Sequence, residues 1–199
     1  MTERLIKNKM PRTPQQFEGI REEKKSLIMR VALELFASNG FYGTTISSIA
    51  KEAGISKGLI YNYFDSKEEL IREIIYSGLE NIDKLMDPNQ DGVLTEDEME
   101  YLLDRFFGLL QDDVNFWKLY FSLLVQAPII KLVESRLTDV VKNYIGLLQA
   151  YFESKGCEDP YTEALLFGAM LDGIGMNYIA NAELFPVDKI KERILKKYK

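Results

Sequence analysis

Two short helical patterns separated by one glycine limit what this chain can fold into. In TTISSIAKEAGISKGLIYNYF, residues 44–64, Thr44 or Thr45 can cap a helix TISSIAKEA that stops at Gly54. Ser56 can cap the next one, KGLIYNYF. A small hydroxyl before an apolar-periodic run satisfies the first free amides of a helix, and glycine ends one by adopting a left-handed conformation. Ile46, Ile49, Ala50, Ile55 and Ile60 supply the apolar contacts between the two pieces, which makes the pair a helix-turn-helix.

The flanks extend the pattern. Thr13-Pro14-Gln15-Gln16 can open a first helix whose Ile28, Val31, Ala32, Leu35 and Phe36 recur at three- and four-residue spacing, and Asn39-Gly40 predicts its end near Ser38. Ser66-Lys67-Glu68-Glu69 is a capping box opening a fourth helix. With the inward positions assigned, Lys57, Tyr61 and Asn62 of the third helix are left to point outward. Lysine neutralises a phosphate, tyrosine bonds a phosphate or lies on a thymine methyl, and asparagine bonds a base edge. Gly58 inside that helix costs about 1 kcal/mol relative to alanine, which close approach to a DNA backbone explains. Three small helices that merely pack together remain the alternative on these residues alone.

Charge separates the chain into halves. The formal total is −6, yet residues 1–64 hold ten Lys/Arg against six Asp/Glu, so that the remainder carries −10. The basic half suits a polyanion and the acidic half does not. Histidine is absent, which excludes Ser-His-Asp and Cys-His catalysis, and no enzyme is expected. Cys157 is the single cysteine and cannot form an internal disulfide. The N-terminus lacks the roughly 7–15-residue apolar core of a secretory signal, and residues 165–180, interrupted by Asp172 and Asn177, fall short of the roughly 18 of a membrane span. A cytoplasmic protein with no membrane partner is expected.

The run ALELFASNGFYGTTISSIAKEAGISKGLIYNYFDSKEELI closely resembles the DNA-binding domain of the TetR/AcrR family of bacterial transcriptional regulators. The resemblance covers about forty residues. It implies a homodimer that sets one recognition helix in each half of a palindromic double-stranded operator, most often as a repressor. It also implies DNA contacts at Thr45, Ser47, Ser56, Lys57, Gly58, Tyr61, Asn62, Tyr63 and Lys67, with Asn62 reading sequence. The expected fold is all-α. A basic N-terminal arm, residues 1–20, runs into helix one; residues 21–69 form the helix-turn-helix domain; residues 70–199 form a helical-bundle domain for ligand binding and dimerisation.

The sequence of that second region alternates helical patterns with breaks at Pro128, at 156–160 and at Pro186, and no strand pattern competes. Leu165, Leu166, Ala169, Met170, Gly173, Ile174 and Met176 make a helix apolar over much of its circumference, suited to burial against a second subunit. Phe106, Phe107, Trp117, Phe121 and Tyr144 are candidates to line an apolar effector cavity. Plain bundle core accounts equally well for any one of them. The resemblance implies a small, mostly apolar effector that weakens DNA binding.

One further motif stands apart. DPNQDGVLTEDE, residues 87–98, places Asp87, Asn89, Asp91, Val93, Thr95 and Glu98 at the six ligand positions of an EF-hand calcium loop. Gly92 stands where the sharp turn needs glycine, and Leu94 is the expected aliphatic. TetR-like regulators do not generally carry this loop, EF-hands normally work in pairs, and an acidic connector is the plain alternative. On the strength of the ligand pattern, calcium is an expected cofactor that stabilises or modulates the regulator. A calcium-sensing or calcium-buffering interaction protein is the second reading.

Overall fold

The computed structural model describes residues 13–198, and every regular element among them is helical. The first twelve residues of the basic arm lie outside the described ones. In chain order the helices are α1 (Pro14–Gly43), α2 (Ile46–Glu52), α3 (Lys57–Tyr61), α4 (Lys67–Met86), α5 (Glu96–Asp112), α6 (Val114–Leu124), α7 (Ala127–Ser154), α8 (Pro160–Ala180) and α9 (Val187–Tyr198), with a 3₁₀ turn, Ala182–Leu184, before α9. Among the described residues no single helix is long and apolar enough to cross a membrane.

Local chemistry sets most helix starts. Thr13 and Gln16 form a reciprocal capping box, as do Thr45 with Ser48 and Thr95 with Glu98. Ser56 accepts from the Leu59 amide at 3.1 Å and Ser66 from the Glu69 amide at 3.0 Å. Asp113 and Asp159 cap α6 and α8 in the same way.

Two boundaries differ from the sequence expectation. Helix α1 does not finish near Ser38: Gly40 (φ 72°) kinks it, and a short helical stretch resumes through Gly43. The resumed turn buries Phe41 against Phe36, and Thr44, fully buried, donates to the Leu35 and Gly40 carbonyls. Helix α3 stops at Tyr61 rather than Phe64. The amides of Asn62 and Tyr63 turn back to Leu59 and Ile60, because Phe64 must swing inward to be buried.

Helices α1–α3 and the start of α4 enclose one end of a continuous core through Ile28, Ala32, Phe36, Ile49, Ile60, Phe64 and Leu70. The other end is a bundle in which α7 packs most extensively on α8 and next on α4. Helix α4 belongs to both ends, running about 30 Å without a break. Three contacts tie it to neighbours. Glu73 pairs with Lys25 of α1 at 2.8 Å, Arg72 Nε donates to the Leu132 carbonyl of α7 at 3.4 Å, and the Tyr120 hydroxyl donates to the Ile75 carbonyl at 2.7 Å. The Tyr120 ring lies so close to Gly78 that a Cβ there would meet ring carbons at 2.4 Å. Close approach of α6 to α4 thus requires glycine at this position.

Candidate nucleic-acid interface

The turn between α2 and α3 is made by Gly54 (φ 63°), whose neighbour Ile55 returns an amide bond to the Ala50 carbonyl at 3.0 Å. Ile49 and Ile60 are fully buried beneath it. With those positions inside, the opposite faces are exposed: Thr45 and Ser47 at the start of α2, and Ser56, Lys57, Gly58, Tyr61 and Asn62 along α3. Lys57 Nζ rests 5.8 Å from the centre of the Tyr61 ring, so a cation and an aromatic hydroxyl stand together on the presented surface. Nothing lies within 4 Å of the point a Gly58 Cβ would take. That glycine serves no packing inside the domain. Tyr63 is half-buried beside Phe64 and is less available than its neighbours.

Lys67 departs from the expected role. Its ammonium donates to the carbonyls of Phe41 at 2.8 Å and Thr44 at 3.0 Å and lies 4.3 Å from the Phe41 ring centre. Half-buried there, it fastens the end of α1 to the start of α4 instead of facing outward. Tyr42, by contrast, is absent from the expected set and stands 79% exposed next to the α2 cap.

The effector candidates separate in the same manner. Phe107 and Trp117 are buried, Trp117 donates its indole N–H to the Leu109 carbonyl at 2.8 Å, and Phe121 packs on Trp117 with ring centres 6.1 Å apart. Phe106 stacks edge-on against Phe107. These four belong to the bundle core, and of the five only Tyr144 borders a described cleft. Its phenol is pushed above the usual tyrosine range by burial and then by the nearby Asp172 carboxylate.

The acidic loop is folded on itself. Gln90 (φ 59°) and Gly92 (φ 76°) bend the chain so that the two Asp87 oxygens accept from the amides of Asp91 and Gly92 at 3.1 and 3.0 Å. Asn89 accepts from the Asp91 amide at 3.1 Å and donates to the Asp91 carboxylate, which also accepts from Val93 at 2.9 Å. Leu94 is buried, anchoring the loop to the core. Glu98 turns toward Thr95, accepting from its amide and hydroxyl at 2.9 and 2.8 Å. Among the described residues no three acidic side chains stand together to hold a metal ion.

The outer face of α8 carries Leu165, Leu166, Ala169 and Met176 in the exposed class, with Leu166 57% exposed. Gly173 lies along the same helix with nothing within 4 Å of its missing Cβ.

Residues 28–74 match the family described as bacterial regulatory proteins, tetR family. The chain is 23% identical over 148 residues to the fatty acid metabolism regulator protein of Bacillus subtilis, covering 74% of this chain and 71% of that one. A solved Aquifex aeolicus transcriptional regulator, described as TerR/AcrR family, is 26% identical with a TM-score of 0.63, over 87% of this chain and 96% of that one. The fold is shared with the Bacillus subtilis regulator FadR solved in complex with stearoyl-CoA: TM-score 0.67, 20% identity, 86% and 95% covered. Residues 28–74, which carry the presented α2–α3 face, thus match the tetR family of bacterial regulatory proteins, and the helical domain joined to them through α4 shares the fold of solved transcriptional regulators.

Proposed function

We propose that the chain acts as a homodimeric repressor that holds a palindromic operator through α3 and releases it when an effector enters the helical domain. One observation carries the DNA contact: Lys57, Gly58, Tyr61 and Asn62 are all exposed on a helix whose other side is locked into the core by Ile60. Thr45, Ser47, Ser56 and Tyr42 border that face, and Lys67 supports it from within. Dimerisation is supported by the exposed apolar residues of α8, which water disfavours and a second copy of the same face would cover. A relative solved with stearoyl-CoA makes a long-chain acyl thioester the first effector to titrate. The test is selection of bound duplexes from a random pool, followed by titration at several salt concentrations. A symmetric consensus bound with a steep salt slope is the expected result. No enrichment, or enrichment without dyad symmetry, overturns the proposal.

Calcium enters as a stabiliser of the α4–α5 corner. Support comes from the ligand spacing of Asp87, Asn89, Asp91, Val93, Thr95 and Glu98 and from the left-handed bend at Gly92. Binding requires Glu98 to exchange its bonds to Thr95 for the ion, so affinity is set by that competition. A chain devoted to buffering calcium is disfavoured by its relatives, which are transcriptional regulators.

A further inference from the structure

The corner between α1 and α2 is firmly held. Gly40 (φ 72°) turns the chain, Phe41 packs beneath against Phe36 with ring centres 5.9 Å apart, and the fully buried Thr44 donates to the Leu35 and Gly40 carbonyls at 2.9 and 3.0 Å. The Lys67 ammonium grips the carbonyls of Phe41 and Thr44, the residues on either side of Tyr42 and Gly43, at 2.8 and 3.0 Å. With positions 41 and 44 spent on the core and no side chain at 43, the corner turns Tyr42 outward. At 79% exposure it is the most exposed aromatic among the described residues, its ring edge-on to Phe41 with centres 5.4 Å apart. A single exposed aromatic is ordinary on a protein surface. One mounted on so fixed a backbone has little freedom left to lose when a partner meets it.

Its place in the fold selects that partner. In a helix-turn-helix the helix before the recognition helix crosses the sugar-phosphate backbone while the next one enters the groove, and α2 is the helix before α3. Tyr42 stands three residues ahead of Thr45, the cap of α2, in the half of the chain where ten Lys/Arg outweigh six Asp/Glu. A phosphodiester accepts hydrogen bonds, and a phenol donates one. We infer that Tyr42 is a DNA-backbone contact outside the recognition helix, its hydroxyl donating to a phosphate of the strand that borders the groove read by α3. This rests on the proposal that α3 holds an operator. The contact carries no sequence information and fixes how the domain sits on the duplex. A tyrosine hydroxyl carries no charge, so the contact forms without releasing a counterion.

The test uses the full chain, the duplex enriched from the random pool and a random duplex of the same length. Tyr42→Phe keeps the ring and removes only the hydroxyl, and circular dichroism and thermal melting should find its fold and stability unaltered. By anisotropy it should bind both duplexes at least about threefold more weakly, with the ratio between them and the slope against salt unchanged. Ethylation interference should reveal a phosphate in each half-site whose modification weakens the unaltered chain and is indifferent to the variant. Tyr101→Phe, which alters an exposed tyrosine of α5, should match the unaltered chain in every readout. A smaller loss in Tyr42→Phe, or an unchanged interference pattern, overturns the inference. So does a loss confined to the enriched duplex, which would make Tyr42 a reader of bases, or a flattened salt slope. An unaltered chain that binds no duplex overturns the regulatory proposal, and the inference with it.

Discussion

The hydroxyl of Tyr120 reaches across from α6 to the carbonyl of Ile75, 2.7 Å away in the middle of α4, and its ring occupies the space a side chain at position 78 would need. The contact is buried and shared by Phe116, Trp117 and Phe121, whose rings surround Tyr120. Gly78→Ala should therefore destabilise the fold by about 1–3 kcal/mol through overpacking, outweighing the roughly 1 kcal/mol alanine gains as a helix former. The same change at Gly108 of α5, where nothing lies within 4 Å, should instead stabilise by about 0.5–1 kcal/mol. Urea unfolding of the two variants, opposite in sign, is the measurement; equal signs would refute the wedge.

Lys67→Met should lower the melting temperature and weaken operator binding without changing the slope of affinity against salt. Its ammonium is bonded to the Phe41 and Thr44 carbonyls, so its loss loosens the domain but removes no phosphate contact. A slope that falls by about one counterion would restore Lys67 to the DNA surface.

Lys57→Ala and Asn62→Ala should part in the opposite way. The first weakens operator and random duplex alike and flattens the salt slope. The second reduces discrimination between them by about 1–3 kcal/mol with the slope unchanged. Equal loss of discrimination in both would show that Asn62 does not read sequence.

Gly173→Arg is expected to split the dimer and abolish operator binding together. Open space surrounds that position within one chain, so the arginine has nothing to strike unless a second chain covers it. Sedimentation at micromolar concentration decides the matter, and a dimer that survives the substitution places the interface elsewhere.

Glu98→Gln should reduce calcium affinity in calorimetry and remove any calcium-dependent rise in melting temperature. In the absence of calcium the cost should be small, because glutamine can still accept from the Thr95 amide. No heat from the unaltered chain at millimolar calcium would mean the loop is an acidic connector and nothing more.

What the sequence revealed followed the range of the interactions involved. Caps at Thr13, Thr45, Ser56 and Thr95 depend on an amide three residues away, so they are readable from a short window. The course of the chain past Gly40 was not, because a left-handed glycine tells that a helix bends but not whether it resumes; burial of Phe41 decides that. The placement of Lys67 was hidden for a similar reason. Its partners lie 23 and 26 residues back, and only the folded domain brings those carbonyls within reach. The aromatics of α5 and α6 repeat with helical spacing whether they fill a core or border a cavity, and periodicity cannot separate the two.

Helix α4 is wedged off centre. Gly78, pressed by Tyr120, is the twelfth of its twenty residues, leaving an arm of about 16 Å toward Lys67 and one of about 12 Å toward Met86. A rigid beam turning about that point would have a mechanical advantage below one: its longer arm would trade force for travel. A sideways shift of about 1 Å at Met86 would become about 1.4 Å in the opposite direction at Lys67. Displacements of that size are comparable to the tolerance of a hydrogen bond to a base edge.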